Sequence, residues 1–169
     1  NDINMDLNRE IKKMANDGKP IIGICAGFQL LSNQVDIGRK SPDKRAMIHL
    51  DKDKNERIFT YRDVKEHSSQ AANYFKSLGI KKGDKVMLVL KRHYQFWFAI
   101  LGLHKLGAIA IPATNQLMEH DFVYRFQAAD VSAVLCTADG NTAEQVELAE
   151  KSAGMNLTKV LVGGSREGW

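Results

Sequence analysis

Four short strand-like runs limit what this chain can fold into: residues 86–90, 108–111, 133–136 and 159–162, each separated from the next by a segment of helical period. The first, Val-Met-Leu-Val-Leu, has no polar alternation, as a strand covered on both faces requires. Helices are predicted over residues 94–106, 118–129 and 142–152. Gly107 closes the first of these, and Pro112 stops the strand before it. Upstream, Thr60 and Asp63 stand at the spacing of a helix-start pair, and Tyr61, Val64, Ala71, Ala72, Phe75 and Leu78 carry an apolar face to Gly79. Alternation at these lengths predicts an α/β class: a mainly parallel sheet with helices on both faces and right-handed crossovers.

The N-terminal part is more broken. Met5, Leu7, Ile11 and Met14 recur at roughly helical spacing up to Gly18 and Pro20, and residues 21–25 then form an apolar run before the Ala26-Gly27 step. Phe28, Leu30 and Leu31 suit a helix packing back on that run, so residues 20–31 read as strand, turn and helix. Between residues 33 and 45 the pattern dissolves into Asp36, Gly38, Arg39, Lys40, Ser41 and Pro42, where a boundary is expected. Residues 46–50 and 57–59 follow as two strands joined by a polar hairpin loop at 51–55.

Composition removes several classes of function. The 169 residues, 44% hydrophobic, suit one domain or one domain and a fragment. A net charge of +4 from 24 basic and 20 acidic residues, scattered along the chain, argues against a nucleic-acid partner. The apolar run at 96–103 ends on His104 and Lys105, well short of the roughly 20 residues that span a bilayer, so no membrane span is expected. Asn1, Asp2, Asn4 and Asp6 do not resemble a secretory signal, and a cytoplasmic setting is expected. Cys25 and Cys136 make no disulfide framework and have no metal-ligand spacing. A start on Asn1 and a stop on Trp169 straight after a Gly-rich turn lead us to expect a piece cut from a longer chain.

Cys25 is the candidate catalytic residue. A thiol at the end of a buried strand and just before a helix meets outward backbone N–H groups and helix-terminal charge, which lower its pKa. Small neighbours such as Gly23, Ala26 and Gly27 let a substrate approach such a turn. The stretch Gly18-Lys-Pro-Ile-Ile-Gly-Ile-Cys25-Ala-Gly-Phe-Gln-Leu-Leu31 resembles the nucleophile segment of class I glutamine amidotransferases, nearest the cobyric acid synthase type. The resemblance implies a cysteine that attacks a glutamine amide, with a His as base. His49, His67, His93, His104 and His120 all fall in segments that fit a second family, so an inert buried thiol is the favoured reading of Cys25.

That second resemblance runs through Pro42-Asp-Lys-Arg-Ala, Phe59-Thr-Tyr-Arg-Asp, Leu78-Gly-Ile-Lys-Lys-Gly-Asp-Lys-Val and Leu106-Gly-Ala-Ile-Ala-Ile-Pro112. In order and spacing these blocks resemble the opening of AMP-forming acyl-CoA synthetases, of the adenylate-forming ligase superfamily. The resemblance implies a leader of residues 1–36 and a ligase portion at 42–169. It also implies ATP, Mg and coenzyme A for the complete ligase family, and none expected for this chain. The resemblance further implies that the family's phosphate loop, its acidic nucleotide and magnesium residues and its catalytic Lys are to be expected beyond Trp169.

The remaining motifs have ordinary readings. Gly163-Gly164-Ser165 lacks a Lys and reads as a turn after a strand, as does Asp139-Gly140-Asn141. The run Lys91-Arg92-His93-Tyr94-Gln95-Phe96-Trp97-Phe98 interleaves bases with aromatics, but Phe98, Leu101 and Leu106 are expected to continue inward, so core packing is favoured over base stacking. Cys136 is expected in the core. Three functions compete: a ligase fragment inactive alone, a glutaminase using Cys25, and a non-enzymatic α/β module. The partners expected are the remainder of a ligase domain, or self-association through exposed apolar surface.

Overall fold

A computed structural model describes residues 40–169. The chain divides into two compact units, Asn1–Glu66 and His67–Trp169, with the division falling inside a helix. In the first unit, β1 (Arg45–Leu50) pairs antiparallel with β2 (Glu56–Thr60), with a register irregularity between Arg45 and Met47. The Asp51 side chain closes the loop by accepting hydrogen bonds from the Asp53 and Asn55 amides, each at 2.8 Å, and from Asn55 Nδ2 at 2.9 Å. The bond from the Asn55 side chain is the main reason its carboxyl sits below the ordinary carboxylate range. Helix α1 (Tyr61–Ser77) starts as its sequence predicts. Asp63 Oδ2 accepts from the Thr60 amide at 2.7 Å, and the Asp63 amide donates to Thr60 Oγ1 at 3.1 Å, which is the reciprocal cap.

The second unit holds the sheet. Four parallel strands, β3 (Lys85–Val89), β4 (Ile109–Pro112), β5 (Ala133–Thr137) and β6 (Thr158–Val162), lie in the order β4-β3-β5-β6. Between them run α2 (Gln95–Leu106), α3 (Glu119–Ala129) and α4 (Thr142–Ala153). Alternate strand residues divide the core in two. Val86, Leu88, Ala133 and Leu135 pack with Phe75 of α1 and with Ala99 and Leu103 of α2. Met87, Val89, Val134 and Cys136 pack with Phe122 and Phe126 of α3 and with Val146 and Ala149 of α4. This is the α/β arrangement expected, helices covering both faces of a parallel sheet. Complete burial of Phe122 and Phe126 stabilises the fold by about 1.5–3 kcal/mol each.

Two details differ from the sequence reading. Pro112 ends β4 instead of stopping it, paired opposite Leu88. β4 is an edge strand, and the amide of Ala113, not that of residue 112, donates to Leu88 O at 2.9 Å, so the ring costs no ladder bond. On α2, Phe98, Ala99 and Leu103 are buried, whereas Leu101 is half-buried. Phe98 is buried and Leu106 packs against the core as expected, while Ala99 and Leu103 take the place given to Leu101. Side chains from distant elements also fix the helix ends. Gln145 Oε1 of α4 accepts from the Glu119 amide at 2.9 Å, capping α3 from its neighbour, and Glu150 Oε2 takes Lys159 Nζ at 2.5 Å to pin α4 to β6.

Candidate functional site

In an open parallel sheet, a crevice forms at the carboxyl ends of two adjacent strands whose following helices go to opposite faces. Here β3 and β5 are one such pair, since α2 packs on one face and α4 on the other. Four residues meet at that rim. His93, on the loop after β3, places Nε2 2.8 Å from Thr137 Oγ1 at the end of β5 and 3.7 Å from Asp139 Oδ2. The Asp139 amide donates to the same Thr137 Oγ1 at 3.1 Å, and the His93 ring borders Gly163 after β6.

His, Thr and Asp in proximity invite comparison with a nucleophile relay. The geometry excludes one. A relay uses both ring nitrogens, one toward the nucleophile and the other toward the orienting acid. Here the hydroxyl and the carboxylate both face Nε2, and Thr137 is 0% exposed, so no substrate reaches its hydroxyl. The cluster instead fastens the ends of β3 and β5 to each other and sets the turn after β6.

The glycines of that turn serve packing. Gly163 has φ +89°, a left-handed conformation costly for other residues, and a Cβ there would lie 3.3 Å from His93 Cε1. A Cβ on Gly164 would lie 2.8 Å from the Cβ of Ala138. At both glycines the Cβ direction is thus occupied by a neighbouring side chain, and no Lys stands beside them in the sequence. No group of His, Cys, Asp and Glu able to hold a metal ion occurs among the described residues, and none of their helices is long and apolar enough to cross a membrane.

The structure places the other candidates as follows. Cys136 lies in β5, wholly buried, and burial pushes its thiol up to about 12, the opposite of an activated nucleophile. Phe98 is buried, with the rings of His67 and Tyr94 at 4.9 and 5.8 Å. Cys25, and with it the strand-turn-helix reading of residues 20–31, lies outside the described residues. The His93 latch escaped the sequence reading because its partners are 44 residues apart. The signal available was the position of His93 just past a continuous apolar strand.

A profile of the family described as AMP-binding enzyme matches residues 34–166. The mitochondrial acyl-coenzyme A synthetase ACSM2 of Rattus norvegicus is 29% identical over 155 residues, which are 86% of this chain and 27% of that protein. A crotonobetaine/carnitine–CoA ligase of Salmonella paratyphi A is 34% identical over 115 residues, 68% of this chain and 22% of that one. Among solved structures, the acyl-CoA synthetase of Brucella canis superposes with a TM-score of 0.62 at 22% identity, covering 73% of this chain and 22% of that one. The chain thus spans 22–27% of the length of these two curated relatives.

Proposed function

Because the chain belongs to the AMP-binding enzyme family, we propose that it is the N-terminal part of an ATP-dependent acyl-CoA synthetase and does not run the reaction alone. In that reaction a carboxylate attacks the α-phosphorus of ATP to give an acyl-adenylate and pyrophosphate, and the thiol of coenzyme A then displaces AMP. ATP, magnesium and coenzyme A belong, on this reading, to the complete ligase. The partition into a leader of residues 1–36 and a ligase portion at 42–169 is part of the same proposal.

The observation that carries this reading is the uncovered side of β4. Ile109 on that edge strand is 50% exposed and Tyr124 on α3 is 70% exposed. Between β4 and α3 lies an open cleft of about 410 Å³ lined by Met87, Ile111, Leu117 and Arg125 among others. Apolar surface along a sheet edge is the mark of a missing layer. We infer that the remainder of the ligase domain covers it, with self-association of this chain as the substitute. Pyrophosphate exchange tests the proposal: the chain is expected to produce no carboxylate-dependent exchange, and acyl-adenylate formation overturns it.

A glutaminase reading rests on residues 18–31 alone. Selective labelling of Cys25 in the folded chain by a glutamine-like electrophile supports it. Equal labelling of Cys25 and Cys136 only after denaturation refutes it.

A further inference from the structure

Beyond β6 the chain turns at Gly163 and Gly164 and is fastened to α4. Three hydrogen bonds converge on one carboxylate. Arg166 Nε donates to Glu147 Oε1 at 2.7 Å, Arg166 Nη2 donates to Glu147 Oε2 at 2.6 Å, and Trp169 Nε1 donates to Glu147 Oε1 at 2.7 Å. Residues 163–168 are themselves exposed, and the half-buried Trp169 packs against the core cluster that contains Cys136, Phe122 and Val146. The segment is therefore held by one ionic clamp and one apolar anchor, whereas every residue of β5 next to it is buried.

We propose that residues 163–169 are a strap locked on Glu147, whose release uncovers the α4 side of the sheet around Cys136 while the rest of the sheet stays folded. Local opening of this kind is expected where buried apolar contacts are few and the holding bonds are open to water. Both conditions are met, since residues 163–168 are exposed and the Arg166 and Glu147 side chains retain 42% and 33% of their exposure. Cys136 belongs to the same cluster that Trp169 packs against, and the charges of both clamp residues act on its thiol. Lys159 also acts on Glu147, and Glu144 on Arg166, so the clamp sits in a mixed field that salt screens. The proposal is independent of the ligase reading, because it concerns only residues of this chain and their mutual contacts.

The test uses the full chain and two readouts: alkylation of Cys136 by N-ethylmaleimide, followed on its own peptide so that Cys25 is scored separately, and amide hydrogen exchange. In Glu147→Ala, Cys136 is expected to label up to about fivefold faster, with faster exchange confined to residues 163–169 and the adjoining part of α4. Arg166→Gln is expected to show the same pattern more weakly, and raising salt on the unaltered chain serves if either variant fails to fold. Unchanged labelling in the variants and in salt overturns the proposal. So does labelling that rises only together with exchange in β3, which would mean global unfolding and no separate strap.

Discussion

Gly102 of α2 lies directly against the backbone of Ala72 in α1: a Cβ on Gly102 would stand 2.9 Å from the Ala72 nitrogen and 3.0 Å from the Ala71 Cβ. The two helices approach this closely only because the side chain is missing. Two effects oppose each other in Gly102→Ala. Helix propensity favours Ala by up to about 1 kcal/mol, while overpacking against backbone costs about 1–3 kcal/mol. Backbone cannot move aside as a flexible side chain can, so overpacking wins. A net loss of about 1 kcal/mol is expected, read as a lower urea midpoint at unchanged slope. A stabilised variant would show that the helices are not held at this spacing.

The His93 latch predicts coupling. His93→Ala and Thr137→Val should each cost about 1–2 kcal/mol, because each leaves a polar group at the rim of the sheet without its partner. Thr137→Val also deprives the Asp139 amide of its acceptor. The double variant should lose less than the sum of the single losses, by about 0.5 kcal/mol or more. Strict additivity in urea unfolding would mean that the 2.8 Å contact is energetically idle.

Acid should weaken the Glu147 clamp. The hydrogen bonds from Arg166 are the main reason the Glu147 carboxyl lies below its ordinary value of 4.5, with Trp169 helping and burial opposing. A carboxyl depressed by folding contributes stability that is fully present above its unfolded value and is lost as pH falls through its folded one. The stability difference between the unaltered chain and Glu147→Gln should therefore stay constant from neutral pH down to about 5. It should shrink below 4.5 and vanish once Glu147 is protonated. Because both side chains are at least a third exposed, the plateau should not exceed about 1 kcal/mol. Urea titrations across this pH range check the sign, and a difference that grows in acid contradicts it.

The strands were legible because their apolar runs are uninterrupted and Gly or Pro punctuates their ends, as at Gly107 and Pro112. The start of α1 was legible for a different reason, since the Thr60 and Asp63 cap needs only local spacing. What the sequence hid is pairing at a distance. Nothing in the residues around Gln145 signals that its side chain caps α3, and nothing near Gly102 signals the Ala72 backbone opposite it. The candidate site suffered most from this. His93 and Thr137 acquire their relation only when β3 and β5 become neighbours, and strand order is a property of the assembled sheet. Charge at the clamp was hidden in the same way, because Glu147 and Arg166 are 19 residues apart on different elements.

The central claim, that this chain carries the opening of a ligase domain without its nucleotide site, is tested most directly by isothermal titration of the full chain with magnesium-ATP. We predict no saturable heat with ligand up to about 1 mM, the range in which weak sites show themselves. A single saturable site with micromolar affinity would contradict the account and place nucleotide recognition within these 169 residues.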